Sequence, residues 1–115
     1  MPISSDVNQH NIRFVNLNEN RIVSTVMVEE IGNQLQELAA NLQEKKVIID
    51  LTGVESMTSM MLGQLVKFQK TLRDTQVKLG LCCLSPDIAK LFRVSKLDSL
   101  FPIFENREMA IYELK

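Results

Sequence analysis

Few residues in this sequence have the means to do chemistry, and they lie far apart. The one histidine, His10, falls in the polar opening stretch MPISSDVNQHN, where a solvated side chain has no partner for base catalysis. The two cysteines, Cys82 and Cys83, are neighbours. Adjacent side chains on a strand point to opposite faces, so the pair is expected to be free buried thiols rather than a disulfide or shared metal ligands. No histidine and cysteine set has metal-ligand spacing, and Gly32, Gly53, Gly63 and Gly80 are isolated, without a phosphate-cradling loop or dinucleotide fingerprint. No metal or cofactor is therefore expected. For Asp50, at the end of the apolar run VIIDL, no histidine, lysine or second acid nearby in sequence suggests a catalytic partner, and it is expected to cap or brace the loop that follows.

The remaining candidates are the hydroxyls Thr58 and Ser59, in the stretch TGVESMTSMM. Functional groups of parallel sheets collect beyond the carboxyl ends of strands, where loops lead into helices. Either hydroxyl is also a good helix N-cap, which would account for it without any function. Met57, Met60 and Met61 lie beside them, with Gln64 one turn further on. Flexible methionines on a surface suit adaptable protein contacts, and buried ones merely fill a core. Both readings stand at this level.

The elements that must position these residues are legible in the apolar spacing. Ile12 to Leu17 and Arg21 to Val26 read as strands joined by the turn residues Asn18-Glu19-Asn20, an antiparallel hairpin. A helix is predicted from about Glu29 to Leu42, with Ile31, Leu35, Leu38 and Leu42 as its buried stripe. Val47 to Leu51 reads as a strand buried on both faces. A second helix, Ser59 to Asp74, buries Met61, Leu65, Phe68 and Leu72, and Val77 to Leu84 reads as another buried strand. Ser85-Pro86-Asp87 is a helix start, Ile103-Phe104 a short edge strand, and Asn106 to Leu114 a closing helix using Met109, Ala110, Tyr112 and Leu114. Such alternation implies an α/β fold: a small, mostly parallel sheet with an N-terminal antiparallel hairpin and about four helices. Residues 1–9 read as a polar N-terminal arm and residues 10–115 as the domain.

Composition narrows the function classes. A chain of 115 residues holds one core. With 45% hydrophobic residues, 23% charged residues and a net charge of -1, it has no field to attract nucleic acid or an anionic membrane. No apolar run approaches the roughly 18 residues of a membrane span, and the N-terminus is not a secretory signal. A cytoplasmic protein, monomeric or weakly self-associating, is expected.

The stretch Val47 to Gly63, VIIDLTGVESMTSMMLG, resembles the signature of STAS domains of the anti-sigma-factor-antagonist type, a strand ending in Asp-Leu followed by a loop Asp-Ser-Ser-Gly-Leu-Gly. Val77 to Ser85, the segment LDSLF at Leu97 to Phe101, and Asn106 to Ile111 resemble later parts of that family, so the likeness covers about residues 10–114. The resemblance implies a protein-binding module rather than an enzyme. Its first loop serine, matched by Ser59, would be phosphorylated by a serine-protein kinase that doubles as the anti-sigma factor, and phosphorylation would end binding. Thr58 stands where the family has aspartate and is the alternative acceptor. Met60 and Met61 stand for the second serine and the glycine, while Leu62 and Gly63 match. Met57, Met60, Met61 and Gln64 would form the partner-binding surface. The alternatives are a constitutive scaffold or regulatory subunit without the switch and, from another class, a nucleotide-binding protein or hydrolase. The ends, Met1 and Lys115, read as those of a complete chain, against a domain cut from a membrane anion transporter.

Overall fold

The apolar, β-branched stretch around Ile48 and Ile49 takes the middle of the structure because only a two-sided sheet can bury it. In the computed structural model, which describes residues 2–115, this stretch is β4 (Lys46–Asp50). Around it stand β1 (Ile3–Val7), β2 (Ile12–Leu17), β6 (Lys78–Cys82) and β7 (Ile103–Phe104), in the order β1-β2-β4-β6-β7. β1 is antiparallel to β2 and all other pairs are parallel. A two-stranded parallel ribbon joins β3 (Arg21–Ile22) to β5 (Ser56–Met57). The helices are α1 (Thr25–Ala40), α2 (Ser59–Asp74), α3 (Pro86–Val94) and α4 (Arg107–Leu114).

Period-two alternation in the strands divides the core in two. Val15, Leu17, Val47, Ile49, Leu79 and Leu81 join the main cluster with Ile31 and Leu35 of α1, Leu65 and Phe68 of α2, and Phe92 of α3. The opposite face carries Ile12, Phe14, Ile48 and Cys82 against Ala110 of α4. The fold class is the expected one: a mostly parallel sheet, an antiparallel hairpin and four helices.

Particular elements differ from expectation. The hairpin pairs β2 with residues 3–7 of the presumed arm, not with Arg21–Val26. In β1 only Ile3 is buried, so this edge strand carries no alternating pattern. Its turn is built by Asn8, whose Oδ1 accepts from the N–H groups of His10 (2.9 Å) and Ile12 (3.0 Å), with Asn11 at φ 63°. His10 therefore sits exposed at a hairpin tip rather than in a loose tail. The Arg21–Val26 run is cut short because Ser24 caps α1, its hydroxyl accepting from Met27 N–H at 3.1 Å, so the helix begins four residues earlier than predicted. Leu38 and Leu42 are then only partly buried, and Val28 enters the stripe. In α4, Met109 and Tyr112 are exposed, and the inner face is Ala110 with Ile111 and Leu114.

α2 matches its predicted span. It closes with the N–H of Val77 on the Leu72 carbonyl (2.9 Å) and that of Gln76 on the Arg73 carbonyl (3.0 Å), with Gln76 at φ 62°. α1 and α2 pack closely because Gly32 leaves room for the Gln64 carboxamide, which occupies the place a side chain there would need.

Gly80 is a close approach of the same kind within the sheet. A Cβ there would lie 2.9 Å from Ile48 Cδ1, 3.0 Å from Phe104 Cε2 and 3.3 Å from the Pro102 carbonyl oxygen. Gly80→Ala is expected to destabilise the fold by about 1–3 kcal/mol through overpacking, read as a lower urea midpoint with an unchanged slope.

Candidate functional site

Loops leading into helices meet at the carboxyl edge of the parallel strands. After Asp50 the chain turns at Leu51–Val54, with Gly53 at φ 83° and the Val54 N–H on the Leu51 carbonyl at 3.0 Å. It is then tied to the segment before α1. The Asn20 carbonyl accepts from the N–H groups of Glu55 (2.7 Å) and Ser56 (3.3 Å), and the Ile22 carbonyl accepts from Thr58 N–H (3.2 Å). The start of α2 is thus held by a ribbon as well as by its own packing.

At that start the two candidate hydroxyls separate. Thr58 is the N-cap, in extended conformation, with its hydroxyl accepting from Met61 N–H at 3.4 Å. Ser59 is the first helical residue and is exposed. Of the expected contact surface, Met60 is 51% exposed, but Met57 (8%) and Met61 (0%) belong to the main core. Met61 starts the inward stripe of α2, and Met57 lies in the ribbon facing the same cluster, so neither is available to a partner. Gln64 is half-buried against Gly32.

Behind this edge, on the face covered by α4, lies a polar cluster. Asp50, 6% exposed, uses one oxygen to accept from the N–H (2.9 Å) and hydroxyl (2.6 Å) of Thr52, bracing the loop as expected. Its other oxygen takes the Arg107 Nε–H at 2.6 Å. Arg107 also donates to Asn16 Oδ1 (2.9 Å), reaches Asp6 at 3.5 Å, and lies 4.3 Å from the centre of the Phe14 ring. Burial pushes the Asp50 carboxyl up, but the hydrogen bonds from Thr52 and Arg107, with the guanidinium charge, outweigh it and hold the group below its ordinary 3.8. Sequence reading missed this clamp, although a lone acid in a buried strand calls for a counter-charge. A basic residue opening a helix, against the dipole, was the second available signal.

The cysteines also depart from expectation. Cys83 leaves the strand at φ 63°, a left-handed conformation that costs a residue with a side chain about 1–2 kcal/mol. The two sulfurs consequently lie 3.5 Å apart on one side of the chain instead of on opposite faces.

The model of the family described as STAS domain matches residues 5–110. The chain belongs to the STAS domain family, in its anti-sigma-factor-antagonist branch. A relative from Bordetella bronchiseptica, BtrV, named as an anti-sigma factor antagonist, is 35% identical over 81 residues, 69% of this chain and 70% of that protein. Among solved structures, an anti-sigma-factor antagonist (STAS) domain protein from Planctomyces limnophilus superposes with a TM-score of 0.86 at 24% identity, over 96% of each chain. The Bacillus cell fate determinant SpoIIAA in its phosphorylated form gives 0.71 at 17% identity, over 98% of this chain and 99% of that one. At these identities the superpositions speak for the fold. Among the described residues no helix of this STAS domain is long and apolar enough to cross a membrane.

Two expectations follow for this edge of the domain. Because the folded carboxyl of Asp50 lies below its unfolded value, its stabilisation is complete above about pH 4 and is lost as pH falls through the folded value. Asp50→Asn should lower neutral stability and flatten the acid limb of the unfolding midpoint against pH, whereas Arg107→Met should move that limb to higher pH. Separately, Thr58→Ala should cost about 0.5–2 kcal/mol as a lost cap, and Ser59→Ala should leave the urea midpoint unchanged.

Proposed function

We propose that this STAS domain is an anti-sigma-factor antagonist controlled by phosphorylation of Ser59, acting in the cytoplasm on an anti-sigma factor that is also its serine-protein kinase. The observation that carries the reading is the division of labour at the head of α2. Thr58 is engaged as the cap, while Ser59, at the position of the family's acceptor serine, is exposed beside the exposed Met60. Unmodified protein would present Met60 and the ribbon around it to the partner and so release a sigma factor. Thr58 is the lesser acceptor, since its modification would disturb the cap.

The physics of such a switch is local. A phosphoserine adds roughly -1.5 to -2 charges and three acceptor oxygens. At a helix N-terminus these meet first-turn N–H groups and the positive end of the dipole, so the fold tolerates them. A partner seated over Met60 would have to bury the same charge unpaired, which is costly. Binding is lost while the domain stays folded.

A second reading, a constitutive binding module, is favoured by the altered loop: Met61, fully buried, stands where the family has glycine, and Thr58 stands where it has aspartate. One experiment separates the two. Wild type, Ser59→Ala and Ser59→Asp are used as baits in extract of the native cell, and the captured kinase is then incubated with ATP and each protein. Under the switch, wild type and Ser59→Ala capture a serine kinase, Ser59→Asp captures at least about tenfold less, and phosphate maps to Ser59 in wild type alone. Equal capture by all three baits with no phosphate incorporated establishes the constitutive module instead.

A further inference from the structure

We infer that Cys82, Cys83 and Asp50 form a binding site for a thiophilic divalent cation of the zinc and cadmium class. The parallel register sets Asp50 directly beside Cys82 at the carboxyl ends of the two central strands, on the face covered by α4. The left-handed turn at Cys83 then brings the second sulfur back, 3.5 Å from the first. One carboxylate oxygen and both sulfurs lie within 4.8 Å of one another. Two sulfurs bound to a tetrahedral zinc at about 2.3 Å each stand roughly 3.8 Å apart, so the observed spacing needs only a small adjustment.

The donor set selects the ion. Two sulfurs favour soft or borderline metals, and three protein donors are too few and too soft for calcium or magnesium, which take six or more oxygens. Charge balance agrees. Each thiol gives up its proton as its sulfur binds, so a divalent ion replaces two protons and the net charge of the site is unchanged. Asp50 keeps its ion pair with Arg107, and Oδ2, which accepts the Arg107 Nε–H, has a second lone pair to offer the ion. Without a metal, burial above all, with Cys83 and Asp50 nearby, pushes the Cys82 thiol far up, so that thiol is protonated and inert. Cys83 is half-buried, so an ion would enter from its side, with water completing the coordination. The site needs no partner protein and is independent of any role for Ser59.

The test uses the full chain, reduced and then desalted without oxygen. Cadmium ions are titrated in and read by the ultraviolet thiolate-to-metal charge-transfer band, and zinc is measured by competition with a chromophoric chelator. The expected result is one ion per chain with one proton released from each thiol, so that affinity rises steeply with pH. Cys83→Ser and Asp50→Asn each remove a direct donor and should weaken binding by more than the roughly 10–100-fold that outer contacts are worth, and Cys83→Ser should also lose the band. Cys82→Ala serves as a second variant, and an unfolding curve with each confirms that the protein is folded. Absence of the band in wild type, an undiminished band in folded Cys83→Ser, or one ion shared between two chains would overturn the site.

Discussion

The Asp50 carboxylate is the interaction on which the arrangement at the carboxyl edge depends. It ends the central strand, and its two oxygens work in different directions. One fixes Thr52 and so the first step of the loop toward α2, while the other holds Arg107 and so the head of α4. Arg107 spreads the same constraint to Asn16 on β2 and Asp6 on the edge strand, across the Phe14 ring. Four sequence-distant segments are registered by one buried charge. Such a pair does not by itself add net stability over an apolar core. What it excludes is any packing of α4 or of the loop that leaves the carboxylate unpaired, and that exclusion is the specificity it supplies.

This explains why the fold was legible in some elements and obscure in others. α2 was readable residue by residue because Met61, Leu65, Phe68 and Leu72 are buried at helical spacing and a hydroxyl marks the cap. α3 was readable from Ser85-Pro86-Asp87. The strand β1 was not, because an edge strand with one buried residue has no pattern, and its partner is chosen by the free edge of β2 rather than by its own sequence. The ribbon of Arg21–Ile22 with Ser56–Met57 is too short to have a period at all. Its pairing comes from tertiary closure, which draws the entries of α1 and α2 together.

The candidate site shows the same division. Ser59 is a candidate through its place where a loop enters a helix and its likeness to a family loop, both local properties. The fate of the three methionines is not local. Met57 and Met61 point into a cluster formed by both helices and the sheet, and Met60, between them in the helix entry, points away. Helical periodicity alone assigns Met61 inward, but only the ribbon settles Met57. The cysteine pair failed for a different reason. Alternation holds only within the strand, which ends at Cys82, and at Cys83 the backbone has already turned left-handed.

The division between Thr58 and Ser59 also limits what a charge at this edge can do. Thr58 is anchored from both sides, its N–H on the Ile22 carbonyl and its hydroxyl on the first turn of α2. A charge added one residue further on therefore meets a helix head already fixed by the ribbon, and the fixed head gives it donors without having to move. The apolar neighbour that would be affected, Met60, contributes little to the core, since its own side chain is half in solvent. A modification at Ser59 would consequently change the surface offered to another protein while leaving intact the interactions that hold the sheet. A reversible binding module requires a surface that can change next to a core that does not, and here exposed Ser59 and Met60 adjoin fully buried Met61 along the helix.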